Sequence, residues 1–346
     1  FAFKFDSAFQ SPFMLAFFTT VGLGASFELL KKGGLLLILY WLCAGVISIV
    51  QNAIGIAVGD AVGLPAPYAL LSSAISMIGG HGAAGAYGRT FEELGYAGAM
   101  GVGAAAATFG LISGVMVGGP LARRLIVRYD LKPQENNENY ADIESINAAE
   151  SVRLTGFETI QNVAAIIICM ALGMVVSGWI GKLLGMSFPD YVGAMFVAVI
   201  LRNLNEKCRF YKFSFSLSDK IGDVMLNLYL GLALMTLRLW ELMDLMGGML
   251  LIVVAQLLFM CVIAYFVVFR ILGSNYDAAV MCAGLCGHGL GATPSAIVNM
   301  TAVTEQYGMS RKAFMIVPIV GAFLVDIIYQ PQTIYFIKKF VEGITK

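Results

Sequence analysis

Long apolar runs separated by short polar connections dominate the chain between residues 11 and 337. A helix needs about 17–25 mostly apolar residues to cross a bilayer. By that rule the pattern predicts spanning helices near 11–30, 34–60, 97–121, 156–184, 187–204, 221–240, 247–273 and 311–337. Two further stretches, about 65–88 and 276–300, are apolar but interrupted by Gly, Ser and Pro, and neither reads as a plain span. The expected class is an all-α polytopic membrane protein.

The two halves repeat in order. FMLAFFTTVGL (13–23) leads to Gly33-Gly34, and VMLNLYLGLAL (224–234) leads to Gly247-Gly248. In each half there follow a long apolar span, a Gly-rich stretch centred on a histidine, an acidic turn and one more span. The Gly-rich centres are Gly79-Gly80-His81-Gly82 and Cys286-Gly287-His288-Gly289, and they hold the only two histidines of the chain. The expected organisation is a first repeat over 1–121 with a hairpin at about 65–88, a cytoplasmic linker over 122–155, and a second repeat over 156–346 with a hairpin at about 276–300. Two spans (156–184 and 187–204) precede the matching segment of the second half and none precedes that of the first. Two N-terminal helices are therefore expected to be absent from this chain.

Composition sharpens the class. The chain is 59% apolar and 13% charged, with a mean hydropathy of +0.80, against roughly 45–50% apolar and about 25% charged for soluble domains. Net charge is zero, which gives no reason to expect a nucleic-acid partner. Cys43, Cys169, Cys208, Cys261, Cys282 and Cys286 lie mostly inside apolar runs and read as packing residues. Cys282, Cys286 and His288 lack a fourth ligand nearby and have no cysteine counterparts in the first repeat, so no metal or other cofactor is expected.

Lys and Arg set the orientation. The polar segment around 122–155 carries Arg123, Arg124, Arg128, Lys132 and Arg153, which makes it cytoplasmic by the positive-inside rule. Threading outward from it puts 15 of the 22 basic residues inside and 7 outside, provided both special stretches enter and leave on the same side. They are therefore expected to be re-entrant hairpins, one from each face. Span 11–30 then runs inward and span 221–240 outward, so the repeats are inverted, as in many secondary transporters.

Irregular backbone at membrane depth survives only where it is buried in protein or lines a wet cavity. A helix restarting after such a break offers free N–H groups and a positive dipole end to a carboxylate. These arguments nominate Gly79, Gly80, His81, Gly82, Gly287, Gly289, Gly291 and Thr293 as substrate-binding, with Thr293 as N-cap and Pro294 in the first turn. Small-residue packing is the plainer reading for Gly101, Gly103, Gly118 and Gly119. Asp326, deep in the last span, is costly there and is expected to bind the substrate ammonium or a coupling cation, the alternative being a carboxyl satisfied by a neighbouring helix. Gln51 and Asn52 are expected to supply amide contacts to ligand or hairpin, with Asn52 nominated as substrate-binding; hydrogen bonding between helices is the alternative for both. Ser72, Ser76, Ser295 and Asn299 are candidate oxygen ligands for sodium. Glu158, near a cytoplasmic end, reads as structural.

The segments VQNAIGI (50–56), SMIGGHGAAGA (76–86), ATFGLISGVMVGGPLAR (107–123), NYDAAVMCAGLCGHGLGATPSAIVNM (275–300) and VPIVGAFLVDI (317–327) resemble the bacterial sodium/glutamate symporter family through almost all of the chain. The resemblance implies two five-helix inverted repeats with two re-entrant loops, a homodimer in the inner membrane, and uptake of L-glutamate with Na+ as coupling ion. Relatives handling citrate and other hydroxycarboxylates share that architecture, so a symporter of another small carboxylate is the alternative. A channel is a further reading from a different class. No HExxH helix, nucleophile elbow or paired membrane carboxylates point to an enzyme. The mobile part is expected to include both hairpins with spans 97–121 and 311–337, moving against a scaffold of either the longer helices 34–60 and 247–273 or the early helices of each half.

Overall fold

Helices account for the regular structure in the computed structural model, which describes residues 8–26, 34–133, 155–184, 189–235, 245–291 and 293–342, with no strand among them. Among the described residues, four helices are long and apolar enough to cross a bilayer: Gly34–Ala61, Ala99–Tyr129, Gly156–Leu183 and Met246–Ile271. The protein is thus a helical membrane protein. Parts of the spans expected at 11–30, 187–204 and 221–240, and the polar segment 134–154, lie outside the described residues.

The chain divides into two units, Phe1–Lys31 with Asn139–Thr236, and Lys32–Glu138 with Leu237–Lys346. The first unit packs α1 (Gln10–Gly24) against α7 (Asp190–Cys208) and α8 (Phe215–Met235), and α6 (Gly156–Leu184) against α7. Leu23, Ile166, Cys169 and Ala198 form its buried core. Polar groups seal its turns. Asn162 Nδ2 donates to the carbonyls of Glu158 (2.8 Å) and Lys212 (2.9 Å), while its Oδ1 accepts from the Ser214 amide. Both donors of that buried amide and its oxygen are engaged, which holds the 209–214 turn onto α6. Glu158, read as structural from sequence, pairs with Lys212 at 3.2 Å.

The second unit is built on three long helices, α2 (Gly34–Ala61), α5 (Ala99–Tyr129) and α9 (Met246–Ile271). α5 runs eight residues past the expected boundary at 121. Leu125 and Ile126 are buried, so the apolar face continues, and Asp130 closes the helix in a left-handed cap. Arg123, Arg124 and Arg128 are therefore helical.

Besides the π-turn that ends the last described helix (Lys338–Glu342), three helices of this unit widen into a π-turn: at Leu71–Ile75 in α3 (Ala66–Ile75), at Ala264–Val268 in α9, and at Val320–Leu324 after α12 (Arg311–Ile319). A π-turn disturbs the regular ladder and exposes carbonyls to other partners. Each of these offers one to a side chain of another element. The Ile75 carbonyl accepts from Tyr329 (3.3 Å), that of Ala264 from the Cys282 thiol (3.4 Å), and that of Leu324 from Trp41 Nε1 (2.6 Å). Pro318, just before the third turn, lacks an N–H to donate and accounts for the break there.

Candidate functional site

Both Gly-rich stretches are broken helices that double back. In the first, α3 stops short of Ile78-Gly79 and α4 (Gly80–Glu93) starts at Gly80. Gly80 takes φ +60°, a left-handed value that side chains resist. The backbone also leaves helical geometry at Ser73 (φ −119°, ψ −139°). The two ends of the stretch meet: the Tyr68 hydroxyl donates to the Ala97 carbonyl at 2.7 Å, and the Tyr68 and Tyr96 rings stack edge to face.

In the second stretch, α10 (Tyr276–Leu290) stops at Gly291 and α11 (Thr293–Tyr307) begins at Thr293 with Pro294 in its first turn. Here too the ends are tied. The Tyr276 hydroxyl donates to the Gly308 carbonyl, and Ser310 Oγ to Asp277 at 2.7 Å. Between them the arms pack along their length: a Cβ on Gly287 would lie 2.5 Å from the Ala296 backbone, and one on Gly284 would press on Met300. Gly287 therefore serves arm-to-arm packing.

The two bends converge on α5. A Cβ on Gly110 would collide with the Leu290 carbonyl oxygen from one bend and lie 2.7 Å from the Met77 sulfur of the other. One bare backbone position thus receives both tips. Gly103, Gly114 and Gly118 extend the same face: Gly103 touches Ala84 and Leu71, Gly114 the Cys286 carbonyl, and Gly118 the Asn299 amide. The packing reading for Gly103 and Gly118 agrees with these contacts. Gly119 faces open space.

Helix α2 lies against the second tip through Gln51 and against the first stretch through Gly55, which abuts Ser73 and Ala69. Gln51 and Asn52 are fully buried there. Gln51 Nε2 donates to the Gly289 carbonyl at 2.8 Å, and Gln256 Nε2, from α9, donates to the Gln51 carbonyl at 2.8 Å. Backbone carbonyls only accept, so both amide groups are oriented. Their Oε1 atoms, and Oδ1 of Asn52, are buried without a partner among the described residues. Asn52 Nδ2 donates to Gln332 Oε1 at 3.0 Å.

The last helix crosses both tips as well. Gly321 sits 3.4 Å from the His288 side chain and 3.1 Å from Thr293 Oγ1, measured from where its Cβ would be. One helix further, in α13 (Val325–Ile337), the Tyr329 hydroxyl reaches the Ile75 carbonyl and Gln330 accepts from Tyr87 at 2.7 Å. Asp326 stands between these two contacts, partly buried.

The two histidines, aligned in sequence, sit differently. His81 follows its break, in the first turn of α4, half-buried, with Nε2 3.0 Å from Thr108 Oγ1. His288 precedes its break, in the last turn of α10, 2% exposed, with Nε2 2.8 Å from the Tyr40 hydroxyl and Nδ1 unpartnered among the described residues.

The remaining nominated residues are placed as follows. Gly79 packs against Tyr329, where a Cβ would come 2.5 Å from the hydroxyl, and Gly82 is buried in α4. Gly291 faces Leu111. The hydroxyls of Ser72 and Ser76 donate to the carbonyls of Tyr68 (2.8 Å) and Gly103 (3.0 Å), which leaves their lone pairs free to accept. Ser295 is buried at the start of α11. Asn299 Nδ2 donates to the carbonyls of Gly114 (2.9 Å) and Ala283 (3.1 Å), fastening the second hairpin to α5. Gln256, Gly110, Tyr40 and Tyr329 were not singled out by sequence reasoning. Gln256 carried a signal: it is the polar residue inside an apolar run, and its offset from Gln51 (256 − 51 = 205) nearly equals that between the histidines (288 − 81 = 207).

A family model described as "Sodium/glutamate symporter" matches residues 1–309. A sodium/glutamate symporter of Haemophilus influenzae is 39% identical over 330 residues, covering 94% of this chain and 81% of its own length. Those of Escherichia coli and Shigella flexneri are each 41% identical over 331 residues, with the same coverage.

Proposed function

This chain belongs to the sodium/glutamate symporter family, and we propose that it carries L-glutamate into the cytoplasm together with sodium, by alternating access. The observation that carries this reading is the convergence of two broken helices on Gly110. In this reading the broken segments are re-entrant hairpins of two inverted repeats, entering the bilayer from opposite faces.

The chemistry follows from the two restarts. The first N–H groups of a helix have no partner within it, and the dipole adds partial positive charge. Helix α4 presents such an end at Gly80-His81-Gly82, and α11 presents one at Thr293. Glutamate carries two carboxylates, which these two ends suit. Its ammonium is matched by Asp326, between the tip contacts of the last helix. At neutral pH glutamate is a net anion, and taking it out of water is costly. A cation bound beside it offsets that cost, which is the physical basis of coupling. Sodium takes oxygen ligands, and the hydroxyls of Ser72, Ser76 and Ser295, the Asn299 amide and the unpartnered amide oxygens of Gln51 and Gln256 offer them. No catalytic role is assigned.

The unit bearing both hairpins is assigned the moving role, and the unit of the early helices of each half the scaffold role. A homodimer in the bacterial inner membrane, with the 122–155 segment cytoplasmic, completes the reading. Uptake of labelled L-glutamate into proteoliposomes tests it. Saturable accumulation driven by an inward sodium gradient, abolished when potassium replaces sodium, is the expected result. Sealed vesicles of folded protein that take up none would reject it.

A further inference from the structure

A groove of about 560 Å³ runs along the second unit between the C-terminal half of α5 and the end of α9. On α5, Met116, Pro120, Arg124 and Arg128 follow one another at four-residue spacing and so share a face. On α9, Val262 and Phe266 line the opposite wall, with Tyr265 beside Arg128. The groove is apolar at the Met116 end and cationic at the Arg128 end. At 1.5 Å per residue that is roughly 18 Å of helix, about the reach of an acyl chain.

The apolar wall is open. Met116 is 69% exposed, Val262 56% and Phe266 54%. The guanidiniums at the far end have no carboxylate partner among the described residues. Arg128 Nη1 donates to the Tyr265 hydroxyl at 3.2 Å, which positions one guanidinium at the rim; its other donors have no hydrogen-bond partner among the described residues. By the charge bias of the loops this end of both helices is cytoplasmic, the leaflet in which basic pockets between spanning helices meet anionic headgroups.

We propose that this groove binds an anionic glycerophospholipid of the cytoplasmic leaflet, its phosphate on Arg124 and Arg128 and one acyl chain along Met116, Pro120, Val262 and Phe266. Two guanidiniums at a one-turn spacing match a phosphodiester, and the apolar trough below them excludes a free inorganic anion as the intended occupant. The site is separate from the hairpin tips and does not depend on the identity of the transported substrate.

The test is native mass spectrometry of the full chain in detergent, titrated with phosphatidylglycerol or phosphatidylcholine of equal chain length. Wild type retains phosphatidylglycerol in preference to phosphatidylcholine by about tenfold or more, the scale set by two arginines at a headgroup. Arg124→Gln with Arg128→Gln abolishes the preference, whereas Arg123→Gln, outside the groove, keeps it. Met116→Trp fills the trough and lowers retention with both arginines intact. Thermal unfolding in phosphatidylcholine checks that each variant is folded. The proposal is overturned if the double variant keeps the preference, if Arg123→Gln removes it equally, if Met116→Trp changes nothing, or if millimolar inorganic phosphate displaces the lipid.

Discussion

Gln51 Nε2 donates to the Gly289 carbonyl at 2.8 Å, while Gln51's own carbonyl accepts from Gln256. The middle of α2 is thereby tied to the tip of the second hairpin on one side and to α9 on the other. Gln51 and Gln256 occupy matching places in the two halves of the sequence, offset by nearly the same interval as the histidines.

Gln51→Leu leaves the Gly289 carbonyl buried without its donor, which costs about 1–3 kcal/mol. Sodium-driven glutamate uptake is expected to fall by about tenfold or more, with the protein still folded. Gln256→Leu removes the second donor and is expected to act in the same direction. Uptake in proteoliposomes and thermal unfolding of each variant check this.

Gly110→Val places branched carbon against Leu290 and Met77 together, at a position where even one Cβ collides with backbone. Overpacking of this kind costs about 1–3 kcal/mol. Gly119→Val, which faces open space on the same helix, is expected to be nearly neutral. Comparing the melting temperatures and uptake of the two variants isolates tip packing from helix propensity, because both residues change identically.

The histidines are expected to part company. His288→Ala removes a buried ring and strands the Tyr40 hydroxyl, so stability falls by about 2–4 kcal/mol. His81→Ala removes a half-buried ring that contacts Thr108, and the loss of stability stays below about 1.5 kcal/mol. Chemical or thermal unfolding of the two variants measures the difference.

Tyrosine hydroxyls close both hairpin mouths, Tyr68 onto Ala97 and Tyr276 onto Gly308. Tyr68→Phe is expected to cost about 1 kcal/mol and to raise hydrogen exchange in α3 and α4 while leaving α10 and α11 unchanged. Tyr276→Phe is expected to show the reverse pattern. Exchange followed by mass spectrometry separates the two.

Much of this architecture was legible from residues alone. The helices at 156–184 and 311–337 were announced by polarity steps at Arg153, Lys182 and Arg311, although the last runs on past Lys338 in a π-turn over Lys338–Glu342. The first break was marked by Gly79-Gly80 and the second restart by Thr293-Pro294, because glycine and proline dictate backbone. What sequence order did not carry was on which side of each break a residue falls. His81 and His288 align by letter, yet the break precedes one and follows the other, since the second arm runs on to Gly291 before it bends. Gly110 was hidden for a similar reason. It is one glycine of several in an apolar helix, and only the fold-back of two distant segments makes it their meeting point. The π-turns depend on side chains arriving from elsewhere, such as Trp41 and Tyr329, and leave no local mark beyond Pro318.

A cryo-EM structure of the protein in lipid, with saturating sodium and L-glutamate, would locate the substrate relative to the two bends. Substrate binding at the convergent bends requires ligand density between them, with carboxylates against the amides of Gly80-His81-Gly82 and the start of α11 at Thr293. Density lodged elsewhere, or two bends too far apart to touch one molecule, would contradict this placement.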